Sequence, residues 1–343
     1  MRSFASDNNS GVHPQVMEAI ISANVGHAVG YGDDSWTKLA VGLLEETFGG
    51  ASAEAFIVFN GTGANSVALQ AVTQSFNSIL CSTTAHIFVD ECGAPVRMSG
   101  CMAIPIPTTN GKLTTDQVLP YLKNYDVCHH SQPAVLYISQ VTELGTVYTV
   151  EEIKSLADLL HWHGMYLHMD CARIANACAK LKVSPADLTV KAGADIISFG
   201  GTKNGMMMGE AVISFRPKIS ANLKYYRKQS AQLASKMRYL SAQFIPYLTN
   251  DLWLRNAANA NAKAARLAAV LKDLPGISFT QETETNQLFF TMPREAAQRL
   301  AERYFFYYWN EDEAEVRLVT SWDTTDEDVD ELADYMRELL LPA

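Results

Sequence analysis

The chain has 343 residues, of which 48% are hydrophobic and 19% are charged, and its formal net charge is -10. These values are ordinary for a globular protein, and the length favours a large domain plus a smaller one over a single core. The acidic balance argues against nucleic acid or an anionic membrane surface as the main partner, because the sequence has neither a basic stripe nor a basic arm.

The six cysteines and the N-terminal residues indicate the cellular compartment. The cysteines are scattered without a C-x-x-C pair or a nearby histidine at metal-ligand spacing, which predicts reduced thiols and no metal site. Residues 1–9 lack the apolar stretch of a signal peptide, and no apolar run approaches the length of a membrane span. We therefore expect a soluble, cytoplasmic protein.

The first 35 residues are rich in Asn, Asp, Gly and Ser and contain one predicted short helix, Pro14–Ser22. A segment of this kind cannot build a core of its own, so we expect residues 1–35 to lie as an arm across a larger unit. An amphipathic helix is predicted next, over residues 36–48.

A turn of small residues, Asn60-Gly61-Thr62-Gly63, joins the apolar run 55–59 to a helical pattern over residues 66–76. A strand that leads into a helix N-terminus directs free backbone N–H groups and the positive end of the helix dipole to one place. A phosphate site is one interpretation, and a plain strand-to-helix connection is the other. The G-x-G-x-x-G fingerprint of dinucleotide-binding proteins is absent.

Apolar runs then alternate with amphipathic helical patterns as far as residue 215. The strand-like runs are 79–81, 102–106, 134–138, 166–169, 194–199 and 210–215. Continuously apolar strands that alternate with helices indicate an α/β fold with a mostly parallel sheet, flanked by helices on both faces. Ligands of such sheets bind beyond the carboxyl ends of the strands.

Polar groups follow several of these predicted strands. His86 comes after the run 79–81, Glu143 after 134–138 and Asp170 after 166–169. Taken singly, His86 is more often a hydrogen-bonded structural histidine, and Asp170 is more often the N-cap of the next helix. Their joint position at strand ends favours one shared site.

A single lysine, Lys203, lies in the glycine-rich turn Gly200–Gly205 between the last two runs. A lysine beside glycines is ordinarily a solvated loop residue. A partly desolvated lysine has a lowered pKa, however, and its neutral amine can form a Schiff base with an aldehyde cofactor such as pyridoxal phosphate.

Pyridoxal phosphate also needs an anion cradle, a carboxylate for its pyridine nitrogen, a group against its ring and a cation for the substrate carboxylate. The chain offers Gly61–Gly63 as the cradle, Asp170 as the carboxylate, His86 against the ring and Arg173 as the cation. These candidates occur in the chain order cradle, acid, lysine.

The pattern changes after Pro217. Helices are predicted over 220–227, 233–247 and 253–272, and short strands then alternate with helices to the end of the chain. We expect a large domain of residues 1–250 and a small α+β domain of residues 251–343, with the boundary inside a helix. The aromatic run 304–309 is predicted to be a buried strand of the small domain rather than an interface.

Seven motifs, in chain order over about residues 4–340, resemble those of low-specificity L-threonine aldolases of the bacterial branch. They are Ser6–Asn8, Tyr31–Asp34, Asn60–Asn65, Ala85-His86, Leu167–Arg173, Gly200–Gly205 and Val316–Val319. The resemblance implies the aspartate-aminotransferase-like fold type I. It also implies pyridoxal-phosphate-dependent retro-aldol cleavage of L-threonine, L-allo-threonine and related β-hydroxy-α-amino acids to glycine and an aldehyde.

The resemblance further implies a role for each matching residue. It has Lys203 binding the cofactor covalently, Asp170 paired with the pyridine nitrogen, His86 on the ring, Gly61, Thr62 and Gly63 at the phosphate, and Arg173 and Arg317 with Ser6 and Tyr31 at the substrate carboxylate. Arg173 is counted with the cofactor-binding residues as well. Arg238 is a candidate phosphate contact from a neighbouring subunit, so a homodimer or homotetramer with shared active sites is implied.

The sequence departs from the family pattern where many relatives carry a second histidine, because Glu143 stands there. The β-hydroxyl proton is therefore taken either by His86 or by a water between His86 and Glu143. Cys171 also replaces the usual glycine. Two alternatives stay open: another lyase, racemase or hydroxymethyltransferase with the same cofactor, and a cofactor-binding protein without turnover.

Overall fold

The computed structural model describes residues 2–123 and 125–341. The strands are β1 (Glu54–Val58), β2 (Asn77–Ser82), β3 (Met102–Ile106), β4 (Gln132–Ser139), β5 (Tyr166–Cys171), β6 (Ile196–Gly200), β7 (Glu210–Ser214), β8 (Ser278–Phe279), β9 (Gln287–Thr291), β10 (Tyr307–Asn310) and β11 (Glu315–Val319). The α-helices are α1 (Pro14–Ser22), α2 (Ser35–Phe48), α3 (Gly61–Val72), α4 (His86–Val89), α5 (Ala94–Ser99), α6 (Thr115–Val118), α7 (Val150–Trp162), α8 (Ile174–Leu181), α9 (Pro185–Leu188), α10 (Pro217–Gln229), α11 (Arg238–Leu248), α12 (Leu252–Leu271), α13 (Arg294–Arg303) and α14 (Asp326–Leu340).

The larger sheet has the strand order β1-β7-β6-β5-β4-β2-β3. Strand β7 is antiparallel to both of its neighbours, and the other pairs are parallel. Two separate clusters of buried apolar side chains pack against this sheet. Burial of the strands on both faces explains their continuous apolar sequences. The predicted α/β fold with a mostly parallel sheet is confirmed.

The smaller sheet is antiparallel, with the strand order β10-β11-β9-β8. Its core includes the C-terminal half of α12 together with α13 and α14. The N-terminal arm joins this core, because Phe4 is fully buried in it. The backbone of Phe4 also bonds to the carbonyl of Phe305 at 3.1 Å and accepts the N–H of Val319 at 2.8 Å.

Helix α12 contributes to both cores. Trp253 and Ala257 belong to the core of the larger sheet, whereas Leu267 and Leu271 belong to that of the smaller sheet. The expectation that residue 250 lies inside a helix is wrong, because Asn250 has φ 52° in a 3-10 turn between α11 and α12. The division into domains of residues 1–250 and 251–343 stays a prediction.

The aromatic run 304–309 is only half buried. Tyr304 and Phe306 are buried, but Phe305 is 53% exposed and Tyr307 is 49% exposed. The prediction of a buried strand is wrong for these exposed residues, because Phe305 precedes β10 and because β10 is an edge strand in which successive side chains point to opposite faces.

Helix α3 begins at Gly61, earlier than the sequence pattern predicted. The side chain of Asn60 accepts the N–H of Gly63 at 2.8 Å and thereby caps the helix. The small-residue turn is consequently the first turn of the helix itself. Within residues 2–123 and 125–341, no helix has both the length and the apolar character needed to cross a membrane.

Candidate active site

Five residues predicted from the sequence lie together beyond the carboxyl ends of β2, β4, β5 and β6. One pocket is lined by His86, Glu143, Asp170, Arg173 and Lys203. The topology explains this arrangement, because β2, β4, β5 and β6 are consecutive parallel strands whose carboxyl ends share one edge of the sheet.

The turn that carries Lys203 is fixed by the residue that follows it. The Asn204 side-chain nitrogen donates to the Tyr247 hydroxyl and to the Trp253 carbonyl, each at 2.8 Å. The Asn256 side chain in turn donates to the Asn204 carbonyl at 2.9 Å. These buried hydrogen bonds fix Asn204 and thereby hold the preceding residue, Lys203, in place between β6 and β7.

The surroundings of Lys203 favour its neutral form. Burial, followed by the nearby Arg173 guanidinium, lowers the pKa of Lys203, while the carboxylates of Asp7 and Asp170 partly oppose this shift. Burial also raises the pKa of the neighbouring Glu210 to about 7. A lysine that loses its proton more easily is a nucleophile for an aldehyde, and the interpretation as a solvated loop residue is therefore excluded.

Asp170 is a buried carboxylate that accepts three hydrogen bonds. Its Oδ2 accepts the Tyr137 hydroxyl at 2.7 Å and the Asn65 amide at 2.9 Å, and its Oδ1 accepts the N–H of Ala172 at 2.9 Å. Burial alone would raise the pKa of Asp170, but the His86 charge and these side-chain hydrogen bonds outweigh burial and lower it. Asp170 is not the N-cap of α8, since that position belongs to Arg173.

The first turn of α3 faces a second pocket, of about 290 Å³, next to Lys203. Gly61 and Thr62 line this pocket. Gly63 does not, because its N–H is used by Asn60 and a Cβ added to it would lie 2.3 Å from the Gln232 side chain. The first two residues of the helix are therefore the candidates for an anion cradle, because N–H groups in the first turn of a helix have no partner within the helix.

His86 and Glu143 contact each other through the backbone. The N–H of His86 donates to Glu143 Oε1 at 2.9 Å, and the Ser139 hydroxyl donates to the same oxygen at 2.6 Å. Burial raises the pKa of Glu143. The hydrogen bond to Glu91 is the largest of the effects that raise the pKa of His86. The His86 side chain is 37% exposed and lines both pockets, which separates it from a purely structural histidine.

The two arginines predicted at the substrate carboxylate differ in their partners. Arg173 forms a two-point ion pair with Asp7, at 2.7 and 2.8 Å. Arg317 instead donates to the neutral amide of Gln287, at 3.2 and 3.0 Å, and no described carboxylate lies within 4 Å of it. Burial, followed by the charge of Arg173, lowers the pKa of Arg317 to about 10. Arg317 and Ser6 line the mouth of the site.

Tyr31 and Arg238 are not brought to the pocket within one chain. Tyr31 is 55% exposed, and its ring lies 4.8 Å from the Lys228 amine. The Arg238 guanidinium contacts the carbonyls of Val25 and Gly26, each at 3.4 Å. Their predicted roles stay predictions.

Several residues that complete the site were not among the predicted site residues. They are Asp7, Asn65, Glu91, Tyr137 and Glu210. Asp7 and Asn65 lie inside motifs already singled out, so their proximity in sequence to the predicted residues was the available signal. Tyr137 and Glu210 lie within strands, where nothing in the sequence indicates which way a side chain points.

The residues of the site fit pyridoxal phosphate. An easily deprotonated lysine, an ionised buried carboxylate and two outward-facing helix N–H groups surround the adjoining pockets. Each is a group that this cofactor requires of a protein.

Comparisons with known proteins agree with this fit. Residues 3–294 match the family described as beta-eliminating lyase. The chain is 44% identical to the low specificity L-threonine aldolase of Pseudomonas aeruginosa, over 97% of this chain and 96% of the relative. It is 42% identical to the same enzyme of a Pseudomonas species, over 98% and 97%. The solved structure of Leishmania major threonine aldolase superposes with a TM-score of 0.93 at 28% identity, covering 99% of both chains.

The buried ion pair between Asp7 and Arg173 yields a prediction for stability. Burial would raise the pKa of Asp7, but the Arg173 charge outweighs it and holds the pKa below 3.8. Asp7→Asn leaves Arg173 buried without a counter-ion, so we expect the free energy of unfolding to fall by about 3–5 kcal/mol at pH 7. Urea unfolding followed by circular dichroism measures this change.

The difference in the free energy of unfolding between wild type and Asp7→Asn should depend on pH, and this dependence tests the assignment. A carboxylate with a lowered pKa stabilises the fold above its unfolded-state pKa, and this contribution is lost as pH falls through the folded-state pKa. The difference between the two proteins should therefore be constant from pH 7 to about pH 5 and shrink only at lower pH. Asp158→Asn, which breaks an exposed pair with Lys154, is the control and should change nothing measurable. A difference that already shrinks between pH 7 and pH 5 would contradict the assignment.

Proposed function

The chain belongs to the beta-eliminating lyase family and, within it, to the low-specificity L-threonine aldolases, and from this membership we propose its reaction. The protein is a lyase that cleaves L-threonine, L-allo-threonine and related β-hydroxy-α-amino acids to glycine and an aldehyde, with pyridoxal phosphate as cofactor. The family predicted from the seven motifs is thereby confirmed.

The observation that carries the proposal is the arrangement of charges around Lys203. A nucleophilic amine lies between an ionised carboxylate, Asp170, and a mouth that contains the cation Arg317. An α-amino acid carries an amine and a carboxylate on one carbon. Because Arg173 and Arg317 line the same pocket as Lys203, they would hold the carboxylate of an amino acid whose amine lies near Lys203.

Pyridoxal phosphate bound to Lys203 would supply an electron sink for the breaking Cα–Cβ bond. Asp170, whose pKa is lowered, would be the carboxylate that keeps the pyridine nitrogen of the cofactor protonated. Gly61 and Thr62 would hold the phosphate with their N–H groups. Arg317, assisted by Arg173, fixes the substrate carboxylate.

The β-hydroxyl proton must leave as the Cα–Cβ bond breaks. His86 takes it at Nε2, directly or through a water held between His86 and Glu143. A histidine titrates close to neutral pH, which suits a general base, whereas burial raises the pKa of Glu143 and disfavours its ionised form. Reprotonation at Cα then completes glycine.

The assembly that we propose is a dimer or a tetramer with active sites shared between subunits. Exposed apolar side chains cluster on α1, α2 and the segment between them: Ile21 at 67%, Val25 at 69%, Val29 at 66% and Leu39 at 52%. An apolar patch of this kind is typical of a subunit interface. Arg238 contacts the same segment, so a neighbouring copy docked there would receive Arg238 and Tyr31 at its own site. We also propose a cytoplasmic location, which suits the six free cysteines.

Replacement of Lys203 tests the reaction. Purified protein with added pyridoxal phosphate should release glycine and acetaldehyde from L-threonine, and Lys203→Ala should lower the turnover more than about 1,000-fold. The variant should also lose the visible absorbance of lysine-bound cofactor. Lys191→Ala, which removes an exposed amine, is the control. Racemised alanine or hydroxymethyl transfer without aldehyde release would favour the alternative activities.

Replacement of Arg317 separates substrate binding from chemistry. Arg317→Gln removes the guanidinium at the mouth that lacks a described carboxylate partner, so KM for L-threonine should rise about 100-fold with a smaller change in kcat. Steady-state kinetics measure both constants. Arg337→Gln, at an exposed ion pair, should leave both constants unchanged. An unchanged KM in Arg317→Gln would exclude Arg317 as the carboxylate contact.

Hybrid assemblies test whether the site is shared. Lys203→Ala and Arg238→Ala subunits, each impaired alone, are co-expressed with different affinity tags. If Arg238 acts on a neighbouring subunit, half of the dimers are hybrids with one intact site each, and about a quarter of the wild-type activity returns. If Arg238 acts within its own chain, no hybrid contains an intact site. Absence of recovery in purified hybrids would therefore refute the shared site.

A further inference from the structure

Glu91 is a buried carboxylate next to His86 that the proposed reaction does not use. Its side chain is fully buried, and its Oε1 lies 2.8 Å from His86 Nδ1. The same oxygen accepts the side-chain amide of Asn65 at 2.7 Å. The second oxygen, Oε2, is buried and has no partner among the described residues. A carboxylate in such a position is costly to bury, so its retention calls for a function beyond packing.

The Asn65 amide donates to two neighbouring carboxyl oxygens. Its nitrogen faces Glu91 Oε1 at 2.7 Å and Asp170 Oδ2 at 2.9 Å, and each of these oxygens accepts one of its two hydrogens. The reverse orientation would place the amide oxygen against two carboxylates and is excluded electrostatically. Glu91 Oε1 is therefore an acceptor toward Asn65, and as a carboxylate oxygen it is also the acceptor toward His86 Nδ1.

An acceptor at Nδ1 determines the tautomer of the imidazole. His86 must carry a hydrogen on Nδ1 to bond with Glu91, and the neutral ring then has its lone pair on Nε2. No described residue is hydrogen-bonded to Nε2, so this atom is available to a substrate or a water in the pocket. A carboxylate in this position also stabilises the imidazolium that forms when Nε2 accepts a proton.

We propose that Glu91 is a positioning residue that holds His86 as the Nδ1–H tautomer and connects it, through Asn65, to the carboxylate of Asp170. The inference rests on the proposed function only for the identity of the proton that His86 accepts. His86 and Asp170 are thereby held in one hydrogen-bonded unit, so that a displacement of either side chain displaces the other.

Other charged groups also face His86 and contribute to its electrostatic surroundings. They are Asp90 on its own segment, Glu143 after β4, Asp170 at the end of β5, Lys203 after β6, and Arg173 and Arg317 across the mouth. Only Glu91 is hydrogen-bonded to the imidazole ring among the described residues. Replacement of Glu91 should therefore change the tautomer and the pKa of the His86 imidazole directly.

The first test needs no variant of Glu91. The ring nitrogens of ¹⁵N-histidine-labelled, cofactor-free protein are followed by NMR from pH 5 to pH 9, and His86→Gln identifies the His86 signals. We expect the Nδ1–H tautomer above the His86 pKa. Observation of the Nε2–H tautomer would overturn the proposal.

The second test compares Glu91→Gln with wild type. Loss of the negative charge destabilises the imidazolium, so the His86 pKa measured by NMR should fall, and the acid limb of the kcat/KM profile should move to lower pH by the same amount. We also expect kcat to fall at least about tenfold, with KM for L-threonine nearly constant. Glu46→Gln, an exposed carboxylate on α2, is the control.

The outcomes separate this inference from the proposed function. If Glu91→Gln leaves the His86 pKa and the acid limb unchanged, Glu91 is only structural and the proposal is overturned, even where activity is lost. If wild-type protein does not cleave threonine, the proposed function fails, whereas the NMR titration still decides whether Glu91 controls the ring.

Discussion

The site depends on one constraint: a carboxylate must stay ionised and a lysine must lose its proton within the same buried pocket. Burial disfavours the charged form of both groups. For Asp170 the hydrogen bonds from Tyr137 and Asn65 and the charge of His86 outweigh burial. For Lys203 no comparable set of hydrogen bonds is present among the described residues, and Arg173 adds to the effect of burial. Opposite outcomes in one pocket thus follow from the neighbours of each group: a positive charge and hydrogen-bond donors stabilise the ionised form of Asp170, whereas a positive charge destabilises the ionised form of Lys203.

The N-terminal arm connects the pocket to both sheets. Phe4 packs in the core of the smaller sheet, and three residues later Asp7 pairs with Arg173 beyond the larger sheet. Asn286, just before β9, donates to the same carboxylate at 3.1 Å. The mouth of the site is therefore assembled from three distant parts of the chain, and Asp7 is the residue that they share. Its buried charge makes the arm part of the fold rather than a loose extension.

Much of the site could be predicted because parallel strands impose an order on it. Residues that follow successive apolar runs must meet at one edge of the sheet, which placed His86, Glu143, Asp170 and Lys203 together before any coordinates were known. Prediction failed for residues whose role depends on side-chain direction. Tyr137 lies in an apolar strand and was indistinguishable from core, and nothing in the sequence showed that the side chain of Glu91, rather than that of its neighbour Asp90, contacts His86.

The sequence by itself determined the class of fold, the candidate lysine for the cofactor and the family, because these depend on periodicity and on motifs that are local in the chain. Tertiary structure alone decided that Arg173 is neutralised by Asp7 while Arg317 stays without a carboxylate partner, and that one amide, Asn65, separates the carboxylates of Glu91 and Asp170. The physical reason is that charge pairing and hydrogen bonding act over a few ångströms in space. At this site they join residues as far apart in the chain as Asp7 and Asn286, which are 279 positions apart.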